Sequence, residues 1–542
     1  MPRSGLAALV AAVAFAAAPC GAQVASSPRD ADWKRGTVCY EIFIRSFYDS
    51  DGDGIGDING LIEKLDYIND GTRDMSRDLG AGCIWLMPVA ASPSYHGYDV
   101  KNYYRVNPEY GTNEDFKRLV TQAHRRGIRV LVDMVLNHAS NEHPYFKDAL
   151  LNPGSPYRDW FRWSATKPDI KGPWGQDVWH KSPVRDEYYY GIFWHGMPDL
   201  NYDHAPAREE AKKVATFWLQ EMGVDGFRLD AIPYLVEEGN KLSGTPGTHA
   251  LLREYAAHIR RVAPNAYTVG EVWDSVGSML PYYPDQLDSH FAFAASDALL
   301  EAVRTGSAKR LIEPYLRLQR AVPAERWSPF LRNHDQTRTL TELKGDIARN
   351  KMAVTLLLTL PGLPFVYYGE EIGMTGDKPD PRLRTPMHWT RGPAAGFTRG
   401  AAWEPLQPDS MTANVEVQQE DPSSLLNLHR RLIHLRGANE PLGSGELVPL
   451  MASSEAVAAY LRRSGNRVVL VVANLGATPI AGVTVTSPDR AVPAGRYAPA
   501  SLLGGPGGRP LRVAGNGRIQ GYAPLATLGA MEIHVLDLAR AR

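Results

Sequence analysis

Cysteine is scarce in this chain, with 3 in 542 residues. Cys20 falls in a leader-like N-terminal stretch, so Cys39 and Cys83 remain, and neither shows the paired spacing of a zinc site. A disulfide-dense scaffold and a structural zinc module are both excluded. Apolar runs long enough to cross a bilayer are also lacking, since the Leu6 to Ala18 stretch is too short. Neither sign of charge dominates: 59 Lys and Arg stand against 60 Asp and Glu, for a net charge of −1. With no basic run, neither nucleic acid nor an anionic membrane surface is an expected partner, and a monomer is the working expectation. Internal repeats and low-complexity segments are missing too.

The first residues read as an export signal. Arg3 gives a positive start, Leu6 to Ala18 an apolar middle and Ala22 a small-residue cleavage point, so 1–22 is expected to be removed and the mature chain secreted or periplasmic. Pro19 directly before Cys20 argues against a lipoprotein signal. Cys39 and Cys83 lie in TVCYEIF and GCIWLMP, which read as neighbouring strands. Two buried free thiols are the expectation there, because adjacent parallel strands rarely offer disulfide geometry; export keeps a bridge as the alternative.

Between residues 37 and 436, short apolar runs alternate with amphipathic stretches. Strands are expected at 38–44, 83–88, 128–135, 224–230, 266–272, 290–294, 328–333 and 364–369. Their near-continuous hydrophobicity suits parallel strands buried on both faces. Phe116, Leu119, Val120 and Ala123 repeat at helical spacing behind a Thr112 N-cap, and Ala211, Val214, Ala215, Trp218 and Met222 line a second helix face. Strand–helix alternation repeated eight times predicts an α/β fold of the (β/α)8 TIM-barrel type, with doubly wound sheets as the alternative. Residues 139–204 are too long and too aromatic for a plain loop and read as an inserted domain B. The barrel (domain A) then takes 33–138 and 205–440. Residues 441–542, with a Ser-Gly-Asn turn between β-like runs, read as a C-terminal antiparallel β domain C.

Barrel enzymes take their reactive groups from the C-terminal ends of strands. Those ends are polar here: DMVLNH brings Asp133, Asn137 and His138, GFRLD brings Arg228 and Asp230, GEVWD brings Glu271, and RNHDQTR brings Asn333, His334 and Asp335. Glycoside hydrolysis needs one carboxylic acid to protonate the leaving oxygen and one carboxylate to attack the sugar. Arg228, two residues before Asp230 on a strand, points the same way and keeps it ionised. Glu271, among other carboxylates, is expected to have the raised pKa of a general acid. A lone Asp at a strand end is usually a cap; the ordered set carries the argument. Separately, DSDGDGIGD places Asp49, Asp51, Asp53 and Asp57 among glycines right after the first strand. Hard oxygen ligands at alternate positions are what Ca2+ takes, although an Asp/Gly-rich turn can also stand without metal.

DMVLNH, GFRLDAIPY, GEVWDS and FLRNHDQTR resemble the four main signature regions of the α-amylase family (glycoside hydrolase family 13), and MPDLN resembles its fifth. The resemblance runs through the mature chain and implies a barrel, an inserted domain B and a β-sandwich domain C. It implies Asp230 as nucleophile, Glu271 as acid/base and Asp335 as transition-state stabiliser. Tyr98, Asp99, His138, Arg228 and His334 would contact the sugar at subsite −1. Calcium would sit in the 49–57 loop, with the Ile55 carbonyl as a further ligand. Tyr234 replaces the family's usual His near the nucleophile, so a second calcium is not expected. MPDLN is similar to a group intermediate between oligo-1,6-glucosidases and neopullulanases, and Ala231 after the nucleophile favours α-1,4 bonds. The expected activity is an α-amylase acting on starch and maltooligosaccharides. An exo-acting α-glucosidase or transglucosidase, a trehalose synthase-like isomerase and a non-catalytic carbohydrate binder are the alternatives.

Overall fold

The computed structural model describes residues 33–72, 74 and 77–541; the expected leader 1–22 lies outside the described residues. Eight parallel strands form one sheet: β1 (Cys39–Ile42), β2 (Cys83–Leu86), β3 (Arg129–Met134), β4 (Gly226–Leu229), β5 (Tyr267–Gly270), β6 (Ser289–Phe291), β7 (Trp327–Ser328) and β8 (Phe365–Tyr367). They lie in the order β7-β6-β5-β4-β3-β2-β1-β8. The seam closes through two backbone hydrogen bonds, Leu363 N–H to Trp327 O (3.0 Å) and Phe365 N–H to Pro329 O (2.9 Å). β7 is two residues long where 328–333 was expected, because Pro329 has no N–H to continue the ladder. Trp85, Leu131, Tyr267, Val269, Phe291, Phe330 and Phe365 pack together as an inner core. A larger apolar layer lies between strands and helices.

The helix expectations hold at side-chain level. Thr112 caps the helix Asn113–Arg125 in a reciprocal box with Asp115, and Phe116, Leu119, Val120 and Ala123 are its buried face. The helix Ala205–Thr216 runs into a π-helical turn, Phe217–Glu221, that keeps Trp218 buried. Residues 139–204 contain a helix (Pro144–Leu151) and a three-stranded antiparallel sheet made by Trp163–Ser164, Tyr188–Tyr190 and Trp179–Lys181. The C-terminal region is a six-stranded sheet whose central hairpin pairs Ser464 with Arg467 around Gly465 and Asn466. It has an apolar core of its own around Leu461, Val468, Leu470 and Leu536.

One buried arginine, Arg462, joins the C-terminal sheet to the barrel, and a second, Arg436, binds the same helix end from within the barrel. Arg436 donates to the carbonyls of Leu358 and Leu360 (2.8 and 2.9 Å), and Arg462 to that of Thr359 (2.5 Å), at the C-terminal end of the helix Ile347–Thr359. A helix C-terminus leaves carbonyls unpaired and carries partial negative charge, so both cations satisfy it. Burial pulls both guanidinium pKa values down, Arg436 to about 10.

The expectation of free thiols is corrected. Cys39 and Cys83 form a disulfide, with Cα atoms 4.4 Å apart. The β1–β2 register sets the two residues directly opposite one another, at the short end of the disulfide range. The bridge closes a sequence separation of 44, for which loop-closure entropy alone gives an upper value of about 4 kcal/mol. The double variant Cys39→Ser, Cys83→Ser should therefore lose up to ~4 kcal/mol in denaturant titration relative to the unreduced wild type. An unchanged midpoint would contradict a formed bridge.

Candidate active site

β3, β4 and β5 end at the same rim and bring three carboxylates onto one guanidinium. Arg228, in β4 and fully buried, donates through Nη1 to both oxygens of Asp133 (2.9 and 3.0 Å) and to Asp230 Oδ1 (2.6 Å). Its Nη2 lies 2.8 Å from Glu271 Oε2. The ring of Trp85 lies beneath it, 5.1 Å from Cζ. Directly after Asp230 the chain turns through Ala231, whose φ of 46° is left-handed for a residue with a Cβ. That turn aims the Ala231 N–H at Glu271 Oε2 (3.2 Å), and strain of this kind persists where the surroundings impose it.

A second cluster faces the first. His334 Nδ1 lies 2.5 Å from Glu41 Oε1, and its Nε2 lies 2.7 Å from the Tyr98 hydroxyl and 3.0 Å from Asp335 Oδ2. Tyr98 stacks on the His334 ring (5.7 Å, 16°) and donates its hydroxyl to Asp133 Oδ2 at 3.0 Å. Arg384 closes the far side, with Nη2 2.8 Å from Asp335 Oδ1 and Nε donating to the His334 carbonyl at 3.1 Å. His138 is buried beside this group, bonded to the Tyr98 carbonyl (3.1 Å) and the Asn137 side chain (3.1 Å).

The electrostatics separate the carboxylates. Burial pushes the Glu271 carboxyl up to about 7; Arg228 opposes the shift, and the charges of Asp230 and Asp335 add to it. Burial raises Asp133 to about 7 against the same arginine. Asp335 goes the other way: burial would raise it, but His334 and Arg384 outweigh burial and hold it well below the usual carboxylate range. His334 is its counterpart, lifted to about 9 because Asp335 and Glu41 overcome the burial that would lower it. Burial lowers His138, so a neutral imidazole stands there. Carboxyls poised near neutrality, Glu271 and Asp133, beside Asp335 kept anionic give the site both a proton source and a fixed negative charge, as acid-assisted displacement at a sugar carbon requires.

Of the residues singled out from sequence, Asp230, Glu271, Asp335, Arg228, His334, His138 and Tyr98 converge here. Asp99 is buried next to them but accepts hydrogen bonds from Ser92 (2.7 Å) and Ser94. Glu41 and Arg384 were missed. Glu41 could have been noticed as a carboxylate inside an apolar strand; Arg384 carries no periodic or motif-like signal of its own.

The acidic loop lies apart from this cluster. Asp49, Asp51 and Asp57 each offer one oxygen within 4.8 Å of the others, whereas Asp53 spends its Oδ1 on the Ile55 N–H (2.8 Å). Asp49 accepts the amides of Gly52 (2.6 Å) and Gly54 (2.7 Å). Gly54 (φ 97°) runs so close to the chain at 401 that a Cβ there would meet the Ala401 carbonyl at 2.0 Å. Three carboxylates drawn this close repel one another, which a hard divalent cation would relieve, so the donor set fits calcium.

A closed parallel barrel with a carboxylate cluster at the C-terminal ends of its strands defines a barrel hydrolase of the glycosidase type. The α-amylase catalytic-domain family model matches residues 41–445. Alpha-amylase 3 of Dictyoglomus thermophilum is 38% identical over 448 residues, covering 82% of this chain and 85% of that protein. The trehalose synthase/amylase of Mycolicibacterium smegmatis is 35% identical over 80% of this chain and 81% of its own length. The oligo-1,6-glucosidase of Parageobacillus thermoglucosidasius is 30% identical over 83% and 91%. Among solved structures, the α-amylase from H. orenii superposes with a TM-score of 0.81 at 39% identity, covering 93% of this chain and 99% of its own. The chain belongs to the α-amylase family, glycoside hydrolase family 13, and is a glycosidase of that family, whose members act on α-glucans.

The cluster also sets a pH signature. A histidine raised by its partners adds stability below its unfolded pKa of about 6.5, and that contribution is lost as pH rises through about 9. Glu41→Gln should move the His334 transition, followed by imidazole NMR, clearly downward from about 9. An unmoved transition would detach Glu41 from the network.

Proposed function

We propose that this chain is a retaining α-amylase that cleaves α-1,4-glucosidic bonds in starch and maltooligosaccharides by double displacement. The observation that carries this reading is the sharing of Arg228 by Asp230 and Glu271, with Glu271 raised to about 7. Asp230 attacks the anomeric carbon while Glu271 protonates the departing oxygen. Glu271, then ionised, draws a proton from water to release the glycosyl-enzyme ester. Two carboxyls drawn together on a single guanidinium suit the short spacing of this route better than the wider one of direct displacement by water. Asp335, anionic throughout, grips the sugar hydroxyls, and Tyr98, Asp99, His138, Arg228 and His334 shape subsite −1. Ala231 and the likeness to proteins named α-amylase support α-1,4 over α-1,6 cleavage.

The rest of the reading is proposed on sequence and local chemistry. Residues 139–204 and 441–542 are taken as domains B and C around the barrel of 33–138 and 205–440. Residues 1–22 are taken as an export signal, a reading supported by the Cys39–Cys83 bridge because disulfides persist in oxidising compartments. Calcium is assigned to Asp49, Asp51 and Asp57, with Asp53 and the Ile55 carbonyl as further ligands. When bound it supplies positive charge that pins the loop after β1.

Three measurements test this. Reduced maltoheptaose and soluble starch should give early internal fragments and fast loss of iodine staining; glucose released singly would make the enzyme exo-acting, and trehalose formed from maltose would make it an isomerase. Glu271→Gln should cut kcat by roughly 10²–10⁴-fold, and the alkaline limb of wild-type kcat/KM should fall near pH 7 as Glu271 loses its proton. For the loop, chelation should lower Tm in the wild type and leave Asp51→Asn with little further change. Equal drops in both would sink the metal assignment.

A further inference from the structure

The inserted segment exposes a large aromatic side chain that the catalytic cluster does not use. Trp174 is 62% exposed, at the tip of a tight turn closed by Gly172 N–H to Gln176 O (2.9 Å) and by a bridge between Lys171 and Asp177. The turn is anchored through Gln176, whose Oε1 accepts the Trp174 N–H (3.0 Å) while its Nε2 donates to the Ile192 carbonyl (2.8 Å). Lys167 and Lys171 both pair with Asp177 behind it. These polar contacts fix the backbone of the turn, so the indole is held in one exposed position at the cost of its burial energy.

The indole rests on two aromatic rings while most of its surface stays exposed. Phe193 stacks beneath it (5.7 Å, 26°), and Phe193 in turn meets His138 edge-on at 5.2 Å. Tyr234 abuts the same indole (5.8 Å, 55°) and Phe193 (6.3 Å, 78°). Tyr234 lies one turn beyond Ala231, bonded to it through Tyr234 N–H to Ala231 O (3.1 Å), and Ala231 N–H binds Glu271. The aromatic ledge thus leads from the rim of the site outward past the turn after Asp230, whose Ala231 N–H holds Glu271, the group that must face the departing sugar. A flat π-face attracts the polarised C–H groups on one side of a pyranose ring, so the chemistry fits a sugar laid flat.

We propose that Trp174 is a stacking platform for a glucosyl unit on the leaving-group side, beyond the first such unit, and that it sets the preference for longer chains. The inference rests on the glucan-cleaving reading above. The platform adds binding only when the substrate reaches it; a short aryl glucoside does not.

The test compares Trp174→Ala and Trp174→Phe with wild type on maltoheptaose, isomaltoheptaose and p-nitrophenyl α-glucoside. On the oligosaccharide that the wild type cleaves, Trp174→Ala should lose about tenfold more in kcat/KM than on the aryl glucoside, with Trp174→Phe recovering most of the difference. In an Asp230→Asn background, calorimetry should show maltoheptaose binding weakened by a similar factor. Equal losses on long and short substrates, or none on either, would overturn the platform. Cleavage of isomaltoheptaose in preference to maltoheptaose would instead overturn the α-1,4 reading and leave the comparison readable on the substrate that is cleaved.

Discussion

Everything at the barrel mouth depends on one buried guanidinium. Arg228 has no water to solvate it, and its ion pairs reach Asp133, Asp230 and Glu271 from three adjacent strands. A buried charge without partners is prohibitively costly, so the arginine imposes the placement of its carboxylates as much as they impose its own. Burial, which the single cation opposes without cancelling, raises Glu271 and Asp133 to about 7, and neighbouring negative charge adds to the shift. The poised carboxyl of Glu271 is in this sense a product of its burial. The opposite wall behaves differently, since His334 and Arg384 outweigh burial, keep Asp335 anionic and take positive charge themselves.

This arrangement needs a rigid frame. The closed strand order and the dense inner core around Trp85, Phe291 and Phe365 fix the strand ends. The disulfide between β1 and β2 ties the first pair of strands across the inner core. Arg462 fastens the C-terminal sheet to the end of the helix before β8, and Arg436 binds the same end from a barrel helix, so the outer sheet meets the barrel where a carbonyl cluster would otherwise go unsatisfied. Strain is admitted at Ala231, immediately beside Asp230 in the carboxylate cluster.

Much of this was legible in the sequence because it rests on short-range pattern. Buried parallel strands write themselves as apolar runs, and all eight were found in order, including the weak sixth at Ser289–Phe291. Strand ends that turn polar in DMVLNH, GFRLD and GEVWD declared the site. What was hidden depends on distance in space. The pairing of Cys39 with Cys83 follows from strand register, which no local pattern encodes. Glu41 and Arg384 reach the site from β1 and from the loop after β8, and only barrel closure brings them to His334 and Asp335. The early stop of β7 at Pro329 is the reverse case, a local rule that was readable and was overridden by the polar strand-end pattern.

The central claim is that Asp230 attacks carbon and Glu271 handles the proton. It is tested most directly by trapping the intermediate with 5-fluoro-α-glucosyl fluoride, whose fluorine slows release of the glycosyl-enzyme, followed by peptide mass spectrometry. The account predicts a single sugar adduct on the peptide containing Asp230, formed in wild type and lost in Asp230→Asn. An adduct on another residue, or steady turnover with inverted anomeric configuration and no adduct, would contradict it.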